Sequence, residues 1–245
     1  TLRGIVPTVL DAPLWDDAAF LRRADEAIRD GAQLFILNYV SNVFGWAMPV
    51  WRVAERLDAA GIPLIVDASQ AAGLLPVETH HPCLAAVCMP GHKALYGPMG
   101  TGILLVQDER LARRPLLAGG TGSRSEQLRQ PDFLPDAFES GTPNVPGIAG
   151  LAAGIAFVRS VGAESILAHE KRLIAELGRA LARDGRIECF AHPGQTGVLS
   201  VRVRGMAAEQ AAEGLAARGV AGRAGLHCAP LAHRTAGTED TGTLR

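Results

Sequence analysis

Apolar positions along the chain recur with two different periods. From Asp16 to Asp30, Ala19, Phe20, Ala24, Ala27 and Ile28 fall on one face, with Asp at the start and Gly31 just past the end, which predicts an amphipathic helix. An unbroken apolar run, Gln33 to Asn38, follows. Then come a polar turn at Ser41-Asn42 and a helix from about Pro49 to Ala60, closed by Gly61. Two more apolar runs, Pro63 to Asp67 and Leu84 to Met89, carry no alternation, as expected of parallel strands buried on both faces. Through about residue 140 the pattern is that of a doubly wound α/β sheet. After Gly141-Thr-Pro-Asn144 it turns helical, over Val145–Val161 and Glu164–Arg183. Gly197 to Arg204 then alternates as a half-buried strand, and Ala207 to Ala217 reads as a last helix. The expected architecture is α/β: a large domain with a mostly parallel sheet over 1–142, then linking helices and a smaller α+β domain over 143–245.

Composition narrows the chemistry. Of 24 basic residues 22 are arginine, so a reaction that needs a lysine has only Lys93 and Lys171 to draw on. A net charge of −1 supplies no field for phosphate backbones, which argues against a nucleic-acid partner. The most apolar long stretch, Val145 to Val158, is short for a membrane span and is interrupted by Pro146 and glycines. Cys83, Cys88, Cys189 and Cys228 lack the density of a disulfide scaffold, which fits a reducing cytoplasm. A chain that starts at Thr1 without methionine and stops straight after Gly-Thr-Leu reads as a piece of something longer, short at both ends.

In open parallel sheets ligands bind at the carboxyl ends of the strands. The three apolar runs lead there into Asn42, into Asp67 with Gln70, and into Pro90-Gly91-His92-Lys93. Taken singly, Asp67 reads as a turn cap and Lys93 as a solvated surface lysine. Taken together they match the needs of pyridoxal phosphate: an amine for a Schiff base, a carboxylate for the pyridine nitrogen, and polar groups beside the ring hydroxyl.

These residues resemble the class V aminotransferase family, a group of fold-type I pyridoxal-phosphate enzymes, and its cysteine desulfurase branch in particular. The likeness rests on Val66-Asp67-Ala-Ser-Gln70 and on Gly91-His92-Lys93-Ala-Leu-Tyr-Gly97-Pro98-Met-Gly100-Thr-Gly102. It continues, in the family's order, through Ser41-Asn42-Val-Phe-Gly45, Gly119-Gly-Thr-Gly-Ser123, Glu139-Ser-Gly-Thr142-Pro-Asn144 and Arg223-Ala-Gly-Leu-His-Cys228. The resemblance implies that Lys93 holds the cofactor, Asp67 pairs with the pyridinium, and Gln70 and Asn42 sit by the ring oxygen. It makes His92 an acid/base group and Arg245 the clamp on the substrate carboxylate, with Asn42 also near the substrate. Cys228 would attack the sulfur of L-cysteine and become a persulfide, leaving alanine, with a sulfur-acceptor protein as a possible partner. Thr142 would reach the cofactor phosphate of a neighbouring subunit in a homodimer.

Two departures qualify the likeness. Pro90 stands where the family has Ser or Thr, and offers neither a hydroxyl nor an N–H to the phosphate. The family's glycine/threonine phosphate loop and ring-stacking residue would fall before Thr1. Other class V chemistry, transamination or a selenocysteine lyase-like reaction, therefore stays open, as does an inactive fragment. Cys88 and Cys189 read as core or strand cysteines, inert beside Cys228 in its loop. A zinc site at His80-His81-Cys83 with Cys88 is disfavoured, because adjacent histidines point apart and Cys88 falls inside a strand.

Overall fold

Asp16 turns its carboxylate back onto the first turn of α1 (Asp17–Arg29), accepting the Ala19 N–H at 2.8 Å and satisfying one of the donors a helix start leaves bare. The chain continues through β1 (Phe35–Asn38), α2 (Val50–Ala60), β2 (Leu64–Asp67), β3 (Leu84–Pro90) and β4 (Gly102–Val106). The computed structural model describes residues 4–108, 115, 117–120 and 122–245. Thr1 and Thr121, the latter part of the Gly119–Ser123 segment, lie outside the described residues.

These strands form one sheet in the order β1-β2-β3-β4. β2 and β3 are parallel, with Asp67 opposite Cys88. β4 returns antiparallel, Pro90 facing Gly102, so the sheet is mixed. Leu64, Val66, Ala86 and Val87 are buried, as their unbroken apolar runs require.

α3 (Val145–Val161) opens on Asn144, whose side chain accepts the Gly147 N–H at 3.1 Å. Its buried positions, Gly147, Leu151, Gly154 and Val158, are spaced by three and four and make one face on which glycine alternates with aliphatic residues. That face allows backbone to approach backbone. A Cβ on Gly154 would stand 2.6 Å from the Tyr96 carbonyl carbon. On the other side, a Cβ on Gly73 would stand 2.7 Å from the Ala94 carbonyl carbon, and Gly73 already has φ +89°. The turn from Gly91 to Gly97 is thus held between two glycine contacts, and its ends are tied by Gly97 N–H to Gly91 O at 2.8 Å and Gly91 N–H to Thr101 O at 2.8 Å.

The remaining elements are α4 (Ala163–Leu181), β5 (Ile187–Phe190), β6 (Ser200–Val203), α5 (Ala208–Ala216), β7 (Ala224–Gly225), α6 (Pro230–Thr235) and β8 (Thr243–Leu244). Their sheet is antiparallel in the order β5-β6-β8-β7. Leu199, Val201, Ala211 and Leu244 form its buried centre, with Ile174, Ile187 and Leu215 packed against them.

The chain divides into two compact units that interleave along the sequence. One comprises 33–37 and 54–162; the other comprises 38–53 and 163–245 with the N-terminal segment through residue 32. They part at other places than residue 142, because 38–53 is tied to the later chain: Thr196 N–H donates to Gly45 O at 2.9 Å, and the Ser200 hydroxyl to Val43 O at 2.6 Å. The alternation expected over Gly197–Arg204 shortens to β6 for a related reason. Gln195 folds its amide onto Val198 O at 2.6 Å, so the strand starts late, and Ser200 at its start is fully buried.

Gly154→Ala is expected to destabilise by about 1–3 kcal/mol, since the obstructing atoms are backbone and cannot rotate away. Gly185→Ala, whose Cβ meets nothing, is expected to stay within about 0.5 kcal/mol of the parent. Urea unfolding of both variants checks the pair.

Candidate active site

At the carboxyl edge of the first sheet, Asp67 ends β2 and accepts the Ser69 N–H on Oδ1 at 2.9 Å. Gln70 follows, half-buried. β3 ends at Pro90, and the clamped turn beyond it carries exposed His92 and half-buried Lys93. Because Gly73, on the loop after Gln70, packs on Ala94, the segment bearing Asp67 and Gln70 lies against the turn bearing Lys93. One edge therefore collects an amine, a carboxylate and a carboxamide. Thr142 is exposed, two residues before the cap of α3.

The other unit assembles Asn42, His227, Cys228 and Arg245. Asn42 Nδ2 donates to His227 O at 2.7 Å, and Arg245 Nη1 donates to Asn42 O at 2.7 Å. His227 Nε2 lies 3.1 Å from Thr243 O and 3.2 Å from its hydroxyl. A carbonyl oxygen only accepts, so Nε2 carries the hydrogen and Nδ1, buried without a partner, is bare. The Thr243 hydroxyl passes on to Ser200 Oγ at 3.4 Å, and Ser200 to Val43 O. Four segments distant in sequence thus close a ring around the base of the Cys228 loop. His227 and Cys228 both adopt left-handed backbone, φ 52° and 61°.

Cys228 is exposed at a cleft of about 580 Å³ whose walls include Asn42, Phe44, Trp46, Met48 and Leu231. The four cysteines are free thiols, but their settings differ. Cys83 is buried and donates to Ala54 O at 3.4 Å; burial, ahead of the nearby Asp58 carboxylate, pushes its thiol up to about 11. Cys189 is half-buried in β5, where burial also raises its thiol. Cys88 is in β3 as expected but exposed, because it stands in the last half of the strand beside Asp67 where cover by neighbouring elements ends.

Burial pulls the Arg245 guanidinium below its ordinary value, as does the like charge of Arg223, while the neighbouring Cys228 acts the other way. His227 is pushed down to about 4, first by burial and then by Arg245. His233, fully buried 5.8 Å from it ring to ring, is also lowered by burial.

The sequence profile of the family described as Aminotransferase class-V matches residues 14–245. The chain belongs to the class-V aminotransferase family. It is 34% identical over 205 residues to a probable cysteine desulfurase of Xylella fastidiosa, covering 80% of this chain and 48% of that protein. A probable cysteine desulfurase of Methanothermobacter thermautotrophicus is 30% identical over 229 residues, covering 91% of this chain and 57% of that one. Among solved structures, the apo cysteine desulfurase from Thermococcus onnurineus superposes with a TM-score of 0.82 at 26% identity, over 98% of this chain and 60% of that one. The Escherichia coli cysteine desulfurase CsdA, in an S-sulfonic acid form, gives 0.84 at 26% identity, over 95% and 58%. The fold is thus that of the fold-type I enzymes, and the chain spans about half the length of the curated relatives it matches.

His227, Thr243 and Ser200 received no role from the sequence. The one local signal was a histidine next to Cys228 in a glycine-flanked loop; nothing near Thr243 or Ser200 announces that they meet it.

Between pH 4 and 6.5 an unfolded chain, with His227 at its ordinary value, binds more protons than the folded one. Stability is therefore full above about pH 6.5 and falls as the pH drops toward 4, by ~3 kcal/mol on account of His227. Urea midpoints from pH 4 to 7.5 should show this slope in the parent, and a shallower one in His227→Gln, which cannot take up the proton.

Proposed function

We propose that this chain carries the active site of a pyridoxal-phosphate-dependent cysteine desulfurase, converting L-cysteine to L-alanine with transfer of sulfur to Cys228. The observation that carries this reading is the ring at the base of an exposed thiol: Asn42, His227, Thr243 and Arg245 are tied together by hydrogen bonds and by β8, and Cys228 follows His227 in the chain. The names of the relatives supply the reaction.

The donor set at the first sheet's edge fits the cofactor's ring end. Lys93 would hold it through its amine, Asp67 would face the pyridine nitrogen, and Gln70 and Asn42 would meet the ring hydroxyl. Pro90 contributes nothing to a phosphate, so that end depends on groups elsewhere, Thr142 of a second copy among them. Bound there, pyridoxal phosphate supplies an electron sink that weakens bonds around the substrate's amino carbon. Arg245 orients the substrate carboxylate with its fork of donors. His92, exposed and next in sequence, exchanges the proton on Lys93 Nζ. The Cys228 thiolate takes the sulfur, an S–S bond forming as the substrate's carbon–sulfur bond breaks, and the persulfide then passes to an acceptor.

A homodimer completes the reading. Tyr96, Met99, Ile148 and Phe157 expose a large apolar area on the unit that bears Thr142, and the Tyr96 and Phe157 rings meet edge-on at 5.1 Å. Such surface is ordinarily covered. We place the reaction in the cytoplasm, where four free thiols persist; among the described residues no single helix is long and apolar enough to cross a membrane.

Incubated with pyridoxal phosphate, the parent should retain a visible absorbance band after desalting and Lys93→Ala should not; a band retained by that variant would overturn the anchor. Cys228→Ala should keep the band yet lose sulfide release from L-cysteine. Unchanged turnover of amino acid in that variant would favour transamination. Light scattering should report a dimer, and Ile148→Asp should shift it toward monomer.

A further inference from the structure

His227 is 3% exposed and takes part in none of the chemistry assigned above, yet it is the joint through which the Cys228 loop is tied to the rest of its unit. Its main chain and its ring are both engaged, by Asn42 on one side and by Thr243 on the other. His227 and Cys228 hold left-handed φ values in succession, a conformation that L-residues adopt only when surroundings impose it. Neither residue is glycine. A turn bond from Ala229 N–H to Leu226 O at 2.9 Å closes across the pair, and the contacts of His227 fasten that turn to Asn42 and Thr243. Thr243 lies two residues before Arg245 on the same terminal strand, and Arg245 returns to Asn42. The imidazole therefore links the segment that carries the thiol to the segment that carries the guanidinium.

We infer that His227 is a positioning residue for Cys228: its Nε2–H, received by Thr243, fixes the loop that carries the sulfur relative to the segment that carries Arg245. The inference rests on Cys228 being the sulfur-accepting thiol of the proposed reaction. A second feature points the same way. Bare, buried Nδ1 has no partner, so the ring does its work through Nε2 alone. A side chain that reproduces only that donor should suffice. Glutamine places an N–H at the Nε2 position, asparagine stops short at the Nδ1 position, and leucine fills the space with no donor.

The test is alkylation of Cys228 by neutral iodoacetamide in the whole chain at pH 7, followed by mass spectrometry of the peptide that bears it, with the thermal midpoint recorded for each variant. Because the reagent must approach a sulfur that the loop holds exposed at the cleft, His227→Asn and His227→Leu should react about fivefold more slowly than the parent, and His227→Gln within about twofold of it. Arg245→Gln should slow the parent by a similar factor and slow His227→Asn no further, the mark of two residues acting on one sulfur. Where the asparagine variant fails to fold, the leucine variant takes its place in the cycle. Folded asparagine and leucine variants that react at the parent rate or faster would overturn the inference. So would an Arg245→Gln effect of equal size in both backgrounds, or a glutamine variant as slow as the others. Alkylation needs neither cofactor nor L-cysteine. Sulfide release surviving in Cys228→Ala would thus sink the desulfurase reading without touching this measurement, and the reverse holds as well.

Discussion

A turn that leaves the end of a parallel strand has no ladder to hold it, so the position of Lys93 depends on how closely other backbone can approach. Gly154 supplies that approach from α3 and Gly73 from the loop after β2, each at a place where a single added carbon would collide with main-chain atoms. The contact is steric and non-directional, but it works on both sides of a turn only six or seven residues long. From it follow the half-burial of Lys93, the proximity of the Asp67 and Gln70 loop, and the all-round apolar character of α3, on whose interior face glycine alternates with aliphatic residues.

The second unit solves the opposite problem with directional bonds. Ser200, Thr243 and His227 are buried polar groups, each costly unless partnered. Their partners come from four distant stretches of chain, so the ring closes only when all of them are in place. Buried members of such a network strengthen one another, so the loss of one link weakens the rest. It suits a loop that must remain exposed at its tip while being fixed at its base: Cys228 faces the cleft, and the residue before it is buried.

The difference between those two devices explains what could be read from residues alone. Strands β1 to β3, the helices around them and the residues at their carboxyl ends were legible because apolar runs and end-of-strand polar groups are local signals. The proposal of Lys93 came by elimination and that of Cys228 from its loop setting, and the positions of both, at a strand end and on an exposed loop, were legible. The short strands β7 and β8 and helix α6 carried no periodicity long enough to notice. Ser200 and Thr243 looked like ordinary polar residues, since their significance lies in partners more than 40 and about 16 residues away. Cys88 was misplaced toward the core because a continuous apolar run does not reveal where its cover ends.

The bias toward arginine belongs to the same physics. Ion pairs such as Arg186–Asp184, Arg202–Glu188 and Arg234–Glu239 use a planar, permanently charged group that binds carboxylates with two donors. A guanidinium does not lose its proton under ordinary conditions, so none of these surface cations competes as an amine for a carbonyl. With only Lys171 elsewhere, on the long helix α4, a carbonyl-bearing cofactor meets one lysine at a strand end. On the proposed reading, selectivity for Lys93 would follow from scarcity as well as from geometry, and the composition that looked like background would become part of how the site is specified.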